Sequence, residues 1–143
     1  MYISRKVEFC ASHRLHSPAF SDEENAKLYG RCNNPNGHGH NYVLEVTVSG
    51  PIEAKTGMVM DLKALKDLLD REIINRVDHK NLNVDVDFMR GVIPTAENIL
   101  VLFWDLVQDK LPTGCRLYEM RLWETDNNLA IYRGEGAQIH RFE

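Results

Sequence analysis

The stretch from His38 to Val48 constrains the fold of this chain more than any other. His38, His40, Tyr42, Leu44, Val46 and Val48 share one parity, while Asn41, Glu45 and Thr47 fall on the other. A period of two marks a half-buried strand, so His38 and His40 project from one face at one end of an apolar row. Just before them, Asn33 to Gly37 is a run of turn formers. Pro35 fixes its own φ there and Gly37 is free to take φ > 0, so the chain reverses. A second row obeys the same logic: Val7, Phe9, Ala11 and His13 share a parity, are apolar, and end in a histidine. If the two strands pair antiparallel, the end of the first lies beside the start of the second, and His13 meets His38 and His40. Three neutral imidazoles suit Zn²⁺, and a fourth tetrahedral position left to water or substrate marks a catalytic site. A structural site would recruit cysteines in short-spaced pairs, which this chain lacks. The competing reading of His38 and His40 is that they cap the turn by hydrogen bonding.

The 143 residues are read as one domain, 1–143, long enough for a real core. A hydrophobic content of 43% with 27% charged residues is that of a soluble globular protein. No apolar run is long enough to span a membrane, and no basic start followed by an apolar stretch reads as a signal peptide. A cytoplasmic location is therefore expected. Cys10, Cys32 and Cys115 are odd in number and irregular in spacing, which argues against a disulfide framework. A net charge of −4 without clustered Lys and Arg argues against nucleic acid as a partner.

In chain order, a first strand over about Tyr2 to Leu15 leads to a connection with room for a short helix from Asp22 to Leu28, acidic in its first turn. The second strand ends at Ser49-Gly50-Pro51. After the turn Lys55-Thr56-Gly57 the period becomes helical: Leu62, Leu65, Leu69 and Ile73 share a face, with Leu68 beside them and Asp61 as N-cap. Val77 to Leu82 reads as a loop. Thr95 caps a second helix with Ile99, Leu102, Phe103, Leu106 and Val107 inward, which Pro112-Thr113-Gly114 stops. Tyr118, Met120, Leu122 and Glu124 then share a strand parity, Asp126-Asn127-Asn128 turns, and Leu129 to Tyr132 returns. The order ββααββ predicts an α+β domain, a four-stranded antiparallel sheet with two helices on one face. Its two free edges predict pairing with strands of neighbouring chains.

Taken together, Ala11-Ser12-His13-Arg14-Leu15, Cys32 to Tyr42, Thr56 to Met60, Asp78-His79-Lys80-Asn81-Leu82 and Glu124 to Asn128 resemble the 6-pyruvoyl-tetrahydropterin synthase family. The resemblance covers nearly the whole chain, except the tail after about Gly134. It implies a T-fold subunit, three of which close a β-barrel, with two barrels stacked as a homohexamer. It also implies zinc-dependent conversion of 7,8-dihydroneopterin triphosphate to 6-pyruvoyl-tetrahydropterin with loss of triphosphate, a step toward tetrahydrobiopterin. By position, His13, His38 and His40 match the family's zinc ligands and Cys32, Asp78 and His79 its proton-transfer triad. Glu124 matches its pterin anchor, and Thr95 and Glu97 a second patch that holds the pterin ring. The chain departs from animal members at Ala96 and Trp123, where those carry Thr and Tyr.

Each of these residues also has an ordinary role. A lone cysteine near a turn is inert, and Cys32 acquires the role of base only through the resemblance. On sequence alone Asp78 ends a helix by bonding backbone amides, whereas in the triad it orients and charges His79. Glu124 lies on the apolar parity of its strand; it either faces solvent at the strand end or offers a carboxylate to the paired N–H donors of a pterin. Glu97 is by default a helix N-terminal acid. Arg14 and Lys80 are solvated charges or triphosphate contacts, and His16 and His140 are read as surface histidines. Two rival functions stand beside the main one: a 6-carboxy-tetrahydropterin synthase-type activity, which the five residues between Cys32 and His38 disfavour, and a non-catalytic zinc- or pterin-binding module.

Overall fold

In the computed structural model, which describes Met1 to Glu143, the two histidine-ended rows are neighbouring strands. β1 (Tyr2–His13) and β2 (His38–Ser49) run antiparallel in unbroken register from Tyr2 opposite Ser49 to His13 opposite His38. Alternation along β1 buries Val7, Phe9, Ala11 and His13 and exposes the residues between Lys6 and Cys10 that face the other way. On the inner face Phe9 stacks on Tyr42, ring centroids 4.7 Å apart, and meets the edge of Phe103 at 5.7 Å. Burying side chains of this size contributes about 1.5–3 kcal/mol each, so the strand pair is anchored along its length.

The sheet departs from expectation in one respect: it has five strands. Its order is β3-β1-β2-β4-β5, with β4 at Arg116–Thr125, β5 at Asn128–Tyr132, and a two-residue β3 at Lys80–Asn81 that lies parallel to β1. A strand so short carries no readable alternation, so in the sequence it looks like loop. Its physical reason is the free edge of β1: the N–H groups of His79 and Leu82 donate to the carbonyls of Cys10 and Ser12 at 2.6 and 2.8 Å. The sheet is therefore mixed rather than wholly antiparallel.

The helices follow their caps. In α1 (Asp22–Tyr29) Ser21 and Glu24 form a reciprocal capping box. Asp61 caps α2 (Leu62–Leu69), which continues through a π-turn at Asp70–Ile74 into α3 (Asn75–Val77). This run buries Leu65, Leu68, Leu69, Ile73 and Val77, while Leu62, expected on the inner face, is exposed. Thr95 caps α4 (Ala96–Val107), its hydroxyl accepting from Asn98 N at 3.2 Å. α2 packs on β1, and α4 on β4 and β5.

Two bulges matter for the site. The β2–β4 register shifts between Thr47 and Val48, so Leu117 rather than Tyr118 packs on the core. The β4–β5 register shifts between Trp123 and Thr125, leaving Glu124 as the extra residue. A bulge bends its strand and re-aims the unpaired side chain.

Candidate active site

β1 and β2 end together at His13 and His38, and His40 stands opposite Ala11 on the same face. The three rings meet edge to face with centroids 4.7, 4.8 and 5.1 Å apart, and one nitrogen from each lies within 4.8 Å of the others. His13 is fully buried, and its Nδ1–H donates to the carbonyl of Pro94 at 2.8 Å. That bond sets the tautomer and turns the Nε2 lone pair toward the other rings, 3.2 Å from His38 Nε2. Burial holds the pKa values of His13 and His40 below the ordinary histidine range. It outweighs the charge of Glu124, which raises both, and the Pro94 carbonyl, which raises that of His13. Both rings are thus neutral at neutral pH, the form a metal requires.

Two buried nitrogens, His38 Nδ1 and His40 Nε2, have no hydrogen-bond partner. Buried polar atoms are almost always satisfied. Three converging imidazoles, one locked by a carbonyl behind it and two with orphaned nitrogens, fit a divalent metal ion. No cysteine pair closes the set, so an open coordination position is chemically available.

The bulge delivers Glu124 to this cluster. Its carboxylate oxygens lie 3.7 Å from His40 Nε2 and 4.0 Å from His13 Nε2. The same residue lines a cavity of about 290 Å³ together with Thr95, Glu97 and Leu129. Thr95, Glu97 and Glu124, separated by up to 29 positions in sequence, therefore share one pocket wall beside the histidines. Ala96, one of the two departures from the family pattern, lines that pocket too.

Cys32 belongs to the 3₁₀ turn Gly30–Asn33. Its carbonyl accepts from Leu15 N at 2.8 Å, which ties the turn to the chain just beyond His13. Burial raises the pKa of the Tyr42 phenol, and the negative charges of Glu124 and of a Cys32 thiolate raise it further. Asp78 Oδ1 accepts from Cys10 N at 2.9 Å and Oδ2 stands 3.0 Å from His79 Nδ1. Asp78 thus holds a backbone amide of β1 and stands against the His79 ring, and the Cys10 N–H bond is the first cause holding its carboxyl below the usual range. His79 adopts a left-handed backbone with φ +60° and its side chain is 81% exposed. Within one protomer no side-chain hydrogen bond joins Cys32 to Asp78 or His79.

Several neighbours were not foreseen. The Pro94 carbonyl leaves no mark in a sequence, because every residue carries one. Tyr42, whose hydroxyl lies 3.4 Å from His13 Nδ1, sits on the same strand parity as His38 and His40, and that spacing is the signal that locates it. Arg14 Nε donates to the Asn33 carbonyl at 2.9 Å, and Asn33 Nδ2 donates to His16 Nδ1 at 3.0 Å, so both brace the Cys32 turn rather than standing free.

Three histidines able to hold a metal ion at the ends of two sheet strands, beside a pocket lined by two carboxylates, define the class: an α+β domain with the makings of a metal-assisted active site. The chain belongs to the 6-pyruvoyl tetrahydropterin synthase family, whose model matches residues 2–135. It is 53% identical over 133 residues to the human 6-pyruvoyl tetrahydrobiopterin synthase, covering 93% of this chain and 91% of that one. The enzyme of the same name from Poecilia reticulata is 52% identical, with 94% and 90% covered. The solved structure of Caenorhabditis elegans 6-pyruvoyl tetrahydropterin synthase superposes with a TM-score of 0.87 at 38% identity, covering 94% of this chain and 96% of that one.

Proposed function

We propose that this protein converts 7,8-dihydroneopterin triphosphate to 6-pyruvoyl-5,6,7,8-tetrahydropterin with elimination of triphosphate, in tetrahydrobiopterin biosynthesis. The observation that carries the reading is the convergence of His13, His38 and His40 beside the pocket shared by Thr95, Glu97 and Glu124. On this reading the three histidines hold Zn²⁺. Zinc bound there supplies Lewis acidity to the side-chain hydroxyls of the substrate, making the adjacent C–H bonds more acidic. Glu124 and Glu97 accept hydrogen bonds from the amino and ring N–H groups of the pterin, and Thr95 adds a hydroxyl to the same wall. Cys32, as thiolate, removes and returns protons along the side chain. Asp78 orients His79, whose imidazole exchanges protons with the thiol or the substrate.

The reaction needs no external hydride donor, because ring reduction and side-chain oxidation balance through proton shifts. The exposure of His79 supports an assembly in which the Asp78–His79 pair of one subunit completes the site of another. The homohexamer, a dimer of three-chain barrels, supplies such neighbours, and the exposed Leu129 and Ile131 on edge strand β5 suit pairing between chains. Residues 1–143 are read as one domain around a shared cluster of 26 buried apolar side chains. A cytoplasmic location is proposed; no helix is long and apolar enough to cross a membrane.

The test is to purify the protein, determine bound zinc, and incubate it with 7,8-dihydroneopterin triphosphate. Release of triphosphate with a 6-pyruvoyl product is expected. Acetaldehyde with a 6-carboxy product, or binding without turnover, overturns the assignment.

A further inference from the structure

The chain continues past the family match, which ends at residue 135, and the remainder is tied down at both ends. Near β5, the Tyr132 hydroxyl accepts from the N–H groups of Gly136 and Ala137, both at 3.1 Å. Further on, Arg141 reaches the segment before α4: its two terminal nitrogens donate to the carbonyls of Arg90 and Phe88, each at 2.8 Å. Phe142 N donates to the Gly91 carbonyl at 2.7 Å. A Cβ at Gly91, where φ is +77°, would collide with the Phe142 carbonyl, so the two backbones lie in direct contact. Ile139 packs on the edge of the core. These are five directed bonds, three of them to residues 88–91, and a close backbone contact, from a tail with no regular secondary structure of its own.

What the tail grips leads straight into the metal cluster. Residues 88–91 are followed by buried Val92, whose N–H donates to Met89 at 3.0 Å. Next comes Ile93, whose carbonyl accepts from Asn98 Nδ2 at 2.9 Å and from Thr95 N at 2.8 Å. Pro94 presents its carbonyl to His13 Nδ1. Thr95 and Glu97, on the pocket wall, come immediately after. The segment from Phe88 to Thr95 is thus held at its far end by α4 and at its near end by the tail.

We propose that residues 136–143 are a positioning strap. By fixing residues 88–91 they hold the Pro94 carbonyl in place behind His13, and so set the orientation of the imidazole and the affinity of the three-histidine cluster for zinc. Arg141 is the principal positioning residue. The coupling to metal rests on the zinc reading above; the fixing of the segment does not.

Two measurements separate these steps. In metal-free protein, hydrogen exchange at the amides of Gly91, Val92, Ile93 and Thr95 is expected to accelerate in Arg141→Ala and in a chain ending at Glu135. Arg141→Lys, which keeps a charged donor but not the two-pronged geometry, falls between. Exchange unchanged at those amides in both the Ala variant and the truncated chain overturns the strap, whether or not the protein binds metal. In the second measurement, zinc binding is read by competition with a chromophoric chelator. Loss of an outer partner of a metal-bound histidine costs about 10–100-fold in affinity. Because the strap acts through Pro94, the low end, roughly tenfold weaker binding in Arg141→Ala with partial recovery in Arg141→Lys, is expected. Affinity within twofold of the parent in both variants, despite faster exchange, overturns the link to His13. A parent protein that binds no zinc removes the metal reading instead, and the exchange result still decides the strap.

Discussion

At the scale of single residues, the site divides into groups that hold and groups that move protons. His13 is a holder, fully buried and braced from behind by Pro94. Cys32 sits on a turn tied to the chain after His13 but makes no contact with the three rings through a hydrogen bond of its side chain. Replacing its thiol therefore leaves the holders undisturbed. Cys32→Ala is expected to retain stoichiometric zinc and the parent unfolding temperature while losing most turnover, by about 10²-fold or more for loss of an acid–base group. Metal analysis beside a steady-state assay checks it, and parental turnover would remove Cys32 as the base. The histidines were readable from sequence because strand parity is a period of two and each row ended in the same residue type. Glu124 was readable as an oddity but not as a neighbour of the rings, since its direction comes from a bulge. Pro94 was not readable at all: the acceptor is a backbone carbonyl.

At the scale of elements, turns and bulges set the geometry that strands alone would leave open. Gly37 closes the turn before β2, its N–H donating to Asn34 at 2.8 Å, with φ +76°. A Cβ there would stand 2.9 Å from the His13 carbonyl. Gly37→Ala is expected to cost about 1–3 kcal/mol in urea unfolding from the left-handed backbone alone, and to weaken zinc binding by displacing His13 against His38. On β4, Glu119 is buried and receives Arg121 Nε at 2.6 Å and Arg133 Nε at 2.8 Å. Burial by itself raises its pKa, but the two guanidinium bonds outweigh burial and hold the carboxyl below the usual range. A depressed folded-state pKa means that the unfolded chain binds the proton more readily. The stabilisation is therefore complete above the unfolded value of about 4.3 and is lost as pH falls from there through the folded value. Glu119→Gln is expected to lower stability near neutrality by about 1–3 kcal/mol and to flatten the acid limb. Denaturant unfolding across that pH range measures both. The short β3 escaped the sequence for a related reason: two residues cannot display a period, and their place is dictated by the free edge of β1.

At the scale of the whole molecule, the sheet, its helices and the pocket wall bring residues from four parts of the chain to one end of β1 and β2. The α+β class and both central strands were legible because long periodic segments dominate them. The mixed edge and the shift of Tyr118 outward were not, because each follows from one local irregularity. The tail was legible only as an extension, since its partners are backbone carbonyls of the 88–91 segment.

One feature of the protomer reaches beyond its own surface. His79 faces outward, braced by Asp78, on the strand edge away from Glu124. If its imidazole serves a neighbour, specific activity is a collective property: on dilution, rate per chain should fall as subunits separate, giving a kinetic order in protein above one. Mixing and reassociating two inactive preparations, Cys32→Ala and His79→Ala, should regenerate sites in which each chain repairs the other's defect. Strict proportionality at every dilution, with no recovery on mixing, would mean that each chain works alone.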